Sequence, residues 1–181
     1  MKKFMIDSNI LLNFEKLVNE GEESIYPEWR ETIKYLWNAN LNNEVELYLP
    51  KQAWTENLGA SEDTDLNARI IYFTGKYFGD RIIPKNSYND TDFEHYKRYL
   101  MTPKLFKPRS KDDMFIEAQC AVCNMDLITY NSKDFGKGSE SPRAKAIAEF
   151  NESFGYHSKP ISPEEAVELI REDKSNSPLS N

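Results

Sequence analysis

Short apolar runs alternate along this chain with stretches of helical periodicity, and that alternation restricts the fold more than any single motif does. Lys3 to Asp7 is a short apolar run ending in an acid, and Ser8 to Asn19 then carries Ile10, Leu11, Phe14, Leu17 and Val18 at helical spacing. The pattern predicts strand, sharp turn, helix. A second helix is expected from Pro27 to about Asn40, with Trp29, Ile33, Leu36 and Trp37 as its apolar stripe. Val45 to Leu49 reads as a strand stopped by Pro50, Gln52 to Leu58 as a short helix before Gly59, Leu66 to Phe78 as an aromatic helix, and Arg81 to Pro84 as a small strand. Helices follow at Thr91 to Leu100 and from about Lys111 to Asn124, separated by a loop holding Pro103 and Pro108. Asp126 to Thr129 is the next β-type segment, Asn131 to Lys137 a turn, Pro142 to Phe154 a helix stopped by Gly155, and Lys159 to Ile161 a last strand. Ser162-Pro163-Glu164-Glu165 carries a capping box with Pro at the first helical position, which opens a final helix.

Strands alternating with helices predict an α/β protein with a mostly parallel central sheet covered on both faces, in which functional sites collect outside the carboxyl ends of the strands. The 181 residues fit one domain, expected over residues 1–172, with 173–181 as a flexible polar tail. Apolar residues make up 39% and charged residues 29%, a globular balance rather than a disordered one. No apolar run approaches the roughly 20 residues that span a bilayer, and the start of the chain lacks a secretory apolar stretch. No membrane association and a cytoplasmic location are therefore expected.

The acids fall where such a sheet would gather them. Asp7 and Asp134 lie at or just after strand ends, Glu56 follows another strand, and Asp113 starts a helix. Carboxylates brought together repel one another, a cost that a divalent cation relieves. Oxygen ligands without nearby His or Cys favour hard ions, so Mg²⁺ or Mn²⁺ is expected rather than zinc. Asp7 at its strand end has no evident rival, but each of the other three acids has a competitor. Asp112 is an alternative to Asp113, Glu62 and Asp63 to Glu56, and Asn131, which could form only an Asx-turn, to Asp134. Glu117, four residues after Asp113, is either a further carboxylate at the site or an ordinary exposed acid.

At this point the residues resemble a known family. Phe4-Met5-Ile6-Asp7-Ser8-Asn9-Ile10-Leu11 looks like the opening of PIN-domain proteins, Asp113-Met114-Phe115-Ile116-Glu117-Ala118 is similar to their D-x-x-I-x-A helix start, and Leu127-Ile128-Thr129-Tyr130-Asn131-Ser132-Lys133-Asp134-Phe135 resembles their strand-Thr-x-Asn-x-x-Asp-Phe block. Leu49 to Glu56 resembles the strand end and helix that carry the family's glutamate. The resemblance spans roughly residues 3–171 in family order. It implies a three-layer α/β/α fold and metal-dependent endonucleolytic cleavage of single-stranded RNA. Asp7, Glu56, Asp113 and Asp134 would be the catalytic, metal-binding acids, with Asn9 and Thr129 orienting them, and Asn131, Asp112 and Glu117 are counted among the supporting residues. Many bacterial relatives are VapC-type toxins held inactive by an antitoxin, so an antitoxin partner and homodimerisation are expected. The stretch from Asn57 to Ser110 is longer than compact toxins need.

A net charge of −7 argues against a nucleic-acid partner, but the charge is uneven. From His95 to Lys111 stand Lys97, Arg98, Lys104, Lys107, Arg109 and Lys111 with no Asp or Glu, interleaved with Tyr96, Tyr99 and Phe106, on which bases could stack. The same stretch also reads as a solvated helix end and loop. Cys120 and Cys123 form a C-x-x-C pair, but with Ile116 they recur at i, i+4 and i+7, which favours buried thiols over a redox or zinc site. The aromatic helix carrying Ile70, Ile71, Phe73, Tyr77 and Phe78 reads as core or as a dimer face. The leading expectation is a metal-dependent endoribonuclease. Its rivals are a catalytically inactive PIN-like RNA-binding or scaffold module and a DNA nuclease.

Overall fold

The computed structural model describes residues 1–59, 64–83, 96, 98 and 111–176. The chain runs β1 (Lys2–Ile6), α1 (Ser8–Asn19), α2 (Arg30–Leu41), β2 (Val45–Pro50), α3 (Lys51–Gly59), α4 (Thr64–Tyr77), β3 (Ile82–Ile83), α5 (Lys111–Val122), β4 (Asp126–Ile128), α6 (Pro142–Ser153), β5 (Pro160–Ile161) and α7 (Pro163–Asn176). Among the described residues the strands form one sheet in the order β3-β2-β1-β4-β5. Every pairing is parallel, with Met5 beside Tyr48, Ile6 beside Ile128, and Leu127 beside Pro160. Helices flank the sheet, giving the PIN-like three-layer α/β/α arrangement.

β1 is central because Phe4, Met5 and Ile6 are all buried, the continuous apolar run of a strand covered on both faces. From β1 the chain builds outward through β2 and β3, then returns to lay β4 on the other side of β1. That reversal of strand order leaves a crevice at the carboxyl ends of β1 and β4, where open α/β sheets hold their ligands. The Asp7 amide donates to the Ile128 carbonyl at 3.1 Å and ties the two strand ends together.

Most expected elements are found, with shifted ends. α2 begins at Arg30 rather than Pro27, because residues 27–29 form a turn in which the Trp29 amide donates to the Tyr26 carbonyl at 2.9 Å. The helix buries Ile33, Leu36 and Trp37 as expected, while Trp29, just before its first turn, is partly buried at the core's margin and stacks on Tyr130. α5 stops at Val122, and Asn124 takes a φ of 51°, a left-handed stop that Asn tolerates. α7 continues to Asn176, past the Glu172 at which the sequence ended it. The aromatic helix divides: Ile70 and Phe73 enter the core, where Phe73 stacks on Trp37 with centroids 5.4 Å apart, whereas Ile71 is 53% exposed. Cys120 is buried, and burial pushes the Cys123 thiol up to about 11, so the pair behaves as packing thiols. The expected helix at Thr91 to Leu100 lies outside the described residues except at Tyr96 and Arg98. No helix among the described residues is long and apolar enough to cross a membrane.

Candidate active site

Asp7 follows the last residue of β1 in extended backbone and caps α1. The residue is 2% exposed, and both carboxylate oxygens accept hydrogen bonds. Oδ1 accepts from the Ser8 amide at 2.7 Å and the Ser8 hydroxyl at 3.2 Å, while Oδ2 accepts from Asn9 Nδ2 and Thr129 Oγ1, both at 2.6 Å. Burial nevertheless raises its pKa, with these donors opposing the shift. The same residues couple β1 to the loop after β4. Asn9 Oδ1 accepts from the Tyr130 amide at 3.2 Å, and Thr129 Oγ1 accepts from the Asn131 amide at 2.9 Å.

Asn131 makes the Asx-turn that the sequence allowed it and a second contact besides. Its Nδ2 donates to Asp113 Oδ1 at 2.9 Å, and its Oδ1 accepts from the Asp134 amide at 3.3 Å, which is the Asx-turn. Asp113, in the first turn of α5, therefore faces the β4 loop, whereas exposed Asp112 accepts from Gln52 Nε2 at 2.8 Å. Asp134 is buried, and its carbonyl accepts from Arg143 Nε at 2.9 Å. Glu56 reaches the site from α3, which packs against α5, and accepts a hydrogen bond from the Ser8 side chain.

The acids act on one another. Burial, then the charge of Asp7, and more weakly Asp112 and Asp113, push Glu56 up to about 7. Burial, then Asp134 and Asp7, push Asp113 up to about 7 as well. The charges that act on both are those of other carboxylates, which is the electrostatic demand a cation meets. Among the described residues, no three His, Cys, Asp or Glu side chains stand close enough to enclose an ion by themselves.

Glu117 departs from both of its expected roles. It is neither at the acidic cluster nor exposed, but buried against α6 and the segment before β5, where Oε1 accepts from Asn151 Nδ2 at 2.7 Å and Ser158 Oγ at 3.4 Å. Tyr96 also donates to Asn151. The reason is helical geometry: α5 presents Asp113 at its end, while one turn later the same face has passed beneath α6. Of the basic residues expected to hold RNA, Lys97, Lys104, Lys107 and Arg109 lie outside the described residues, Arg98 is exposed, and Lys111 begins α5. Sequence reasoning gave no role to Ser8, which touches both Asp7 and Glu56, or to Gln52, whose position one turn before Glu56 was the available signal.

No protein-family model matches this sequence, and no curated protein does. Solved structures do match. One is the crystal structure of VapBC2 from Rickettsia felis bound to a DNA fragment from their promoter, with a TM-score of 0.51 and 16% identity over 78% of this chain and 94% of that chain. At that identity the likeness is one of fold.

Proposed function

From a PIN-like fold whose strand-order crevice gathers carboxylates, we propose that this protein is a metal-dependent endoribonuclease acting on single-stranded RNA. The observation that carries the reading is the convergence of Glu56 and Asp113, from separate helices, on the hydrogen-bonded Asp7, with both pushed up to about 7 largely by burial and by neighbouring acids. Asp7, Glu56, Asp113 and Asp134 would hold Mg²⁺ or Mn²⁺. A bound ion of this kind supplies a water of lowered pKa and neutralises charge on the phosphoryl oxygens. Asn9, Thr129 and Asn131 fix the carboxylates in position, and partners of this kind typically govern metal affinity. The expected products carry a 5′-phosphate and a 3′-hydroxyl.

The VapBC2 likeness supports extending the proposal to a toxin restrained by a protein partner. A homodimer would use the exposed Ile71 and Tyr72 of α4, a pair that light scattering of an Ile71→Asp variant tests. The looseness of the acids as they stand favours a second reading, an RNA-binding or scaffold module without catalysis. One experiment separates them. Labelled single-stranded RNA and DNA pools are incubated with Mn²⁺ or Mg²⁺, wild type against Asp7→Asn, with and without EDTA. RNA cutting that needs metal and Asp7 establishes the nuclease. RNA binding without cutting, equal in both proteins, makes the binding module the correct reading, and cutting of DNA alone reassigns the substrate.

A further inference from the structure

Beside the acids lies a cavity of about 560 Å³ that no part of the proposed chemistry uses. It shares a wall with them, since Thr129 both lines the cavity and donates to Asp7 at 2.6 Å. One side is aromatic: Trp29 and Tyr130 stack with centroids 4.1 Å apart and rings 11° from parallel. Beside them stands Glu164, accepting from the Tyr130 hydroxyl at 3.2 Å, and Glu28, whose charge reaches the same phenol. Ser132 and Lys137 supply donors on the loop side.

The cavity is built rather than incidental. Glu165 accepts from the Ser139 amide at 2.9 Å and the Ser162 amide at 2.7 Å, which clamps the glycine turn onto the start of α7. Gly138, at φ 81°, leaves room for that clamp, since a Cβ there would lie 3.1 Å from Glu165 Oε2. Glu165 is thereby committed to structure. Among the described residues, Glu164 gives one of its roughly four acceptor positions to Tyr130 and is exposed at the cavity rim, where the others can meet a ligand.

A volume of this size suits a small planar ligand, and the lining selects its chemistry. Carboxylates beside an aromatic wall disfavour anions and reward a flat ring that presents N–H donors. Guanine alone among the RNA bases has two adjacent donors, N1–H and the N2 amino group, to meet both oxygens of one carboxylate, with O6 beside them to accept from a lysine or serine. Adenine and cytosine place an acceptor next to their amino group, and uracil flanks its N–H with two. Single-stranded RNA is read in this way, by stacking and by hydrogen bonds to base edges.

We propose that this cavity is a base subsite that takes guanine from the RNA strand lying across the neighbouring acids, a reading that rests on the proposed function for the strand's presence. The test is binding of the pentaribonucleotides UUGUU, UUAUU, UUCUU and UUUUU, followed by fluorescence anisotropy in EDTA, to wild type and to Glu164→Gln and Glu28→Gln. Both glutamates are exposed, so the variants are expected to melt as wild type does. Wild type should bind UUGUU about 10-fold more tightly than UUUUU, and Glu164→Gln should bring the two within about 2-fold. Equal binding of all four by wild type, or an undiminished guanine preference in both variants, overturns the subsite. Guanine preference in a protein that cuts nothing removes the nuclease and keeps the subsite. Cutting without any base preference removes the subsite and keeps the nuclease.

Discussion

Thr129 is the residue on which the site most depends without itself being acidic. Its hydroxyl donates to Asp7 Oδ2 and accepts from the Asn131 amide, so it sets the position of one acid directly and of Asp113 through Asn131. Thr129→Val keeps the shape and removes both bonds. It is expected to weaken metal affinity about 10- to 100-fold in metal-titrated cleavage, while Asp7→Asn abolishes cutting. The raised pKa values of Glu56 and Asp113 give a second prediction. Both lie above the unfolded values, so the metal-free native state holds protons that the unfolded chain has released, and stability falls as pH rises from about 4 to about 7. Melting temperature in EDTA should therefore drop across that window. Mn²⁺ should flatten the drop, and its binding near pH 6.5 should release protons to a weakly buffered solution.

At the scale of elements, the turn between β4 and α6 carries the tightest constraint. Gly136 has a φ of 93°, and a Cβ there would collide with Ser141 Oγ, the group that caps α6 by accepting from the Ala144 amide at 3.3 Å. Gly136→Ala should cost about 2 kcal/mol, from the left-handed backbone and the disturbed cap together, read as a lowered urea midpoint. This turn was legible in the sequence as a glycine-containing loop, and so were the strand-helix order and the Asp7, Asp113 and Asp134 junctions. The reason is that parallel strands are short apolar runs and their carboxyl ends are marked by the polar residues that follow. What was not legible depended on approach between distant elements. Trp29 reads as one more apolar position in a helical stripe, and only the fold brings it onto Tyr130. Glu117 shares a helix face with Asp113, but spacing alone does not say that α6 covers the second turn of that face and not the first.

For the molecule as a whole, Glu117 is a standing cost. Its Oε2 is buried with no hydrogen-bond partner among the described residues, and burial pushes the group up to about 8. Because this lies above the usual value near 4.5, the contribution of Glu117 to stability is greatest in acid and declines as pH rises toward 8. Glu117→Gln should match wild type near pH 4 and exceed it near pH 8 by several kcal/mol, on the order expected for a fully buried carboxyl, as thermal melts at the two pH values would show. The sheet order has a different consequence, one of timing. Asp7 is made before the Thr129 that positions it, which comes 122 residues later. At roughly 5–20 residues per second, a ribosome needs on the order of ten seconds to travel that distance. Throughout that interval the nascent chain carries the acid without its setting, so under the proposed nuclease function the messenger being translated is spared until β4 has emerged and found its place beside β1.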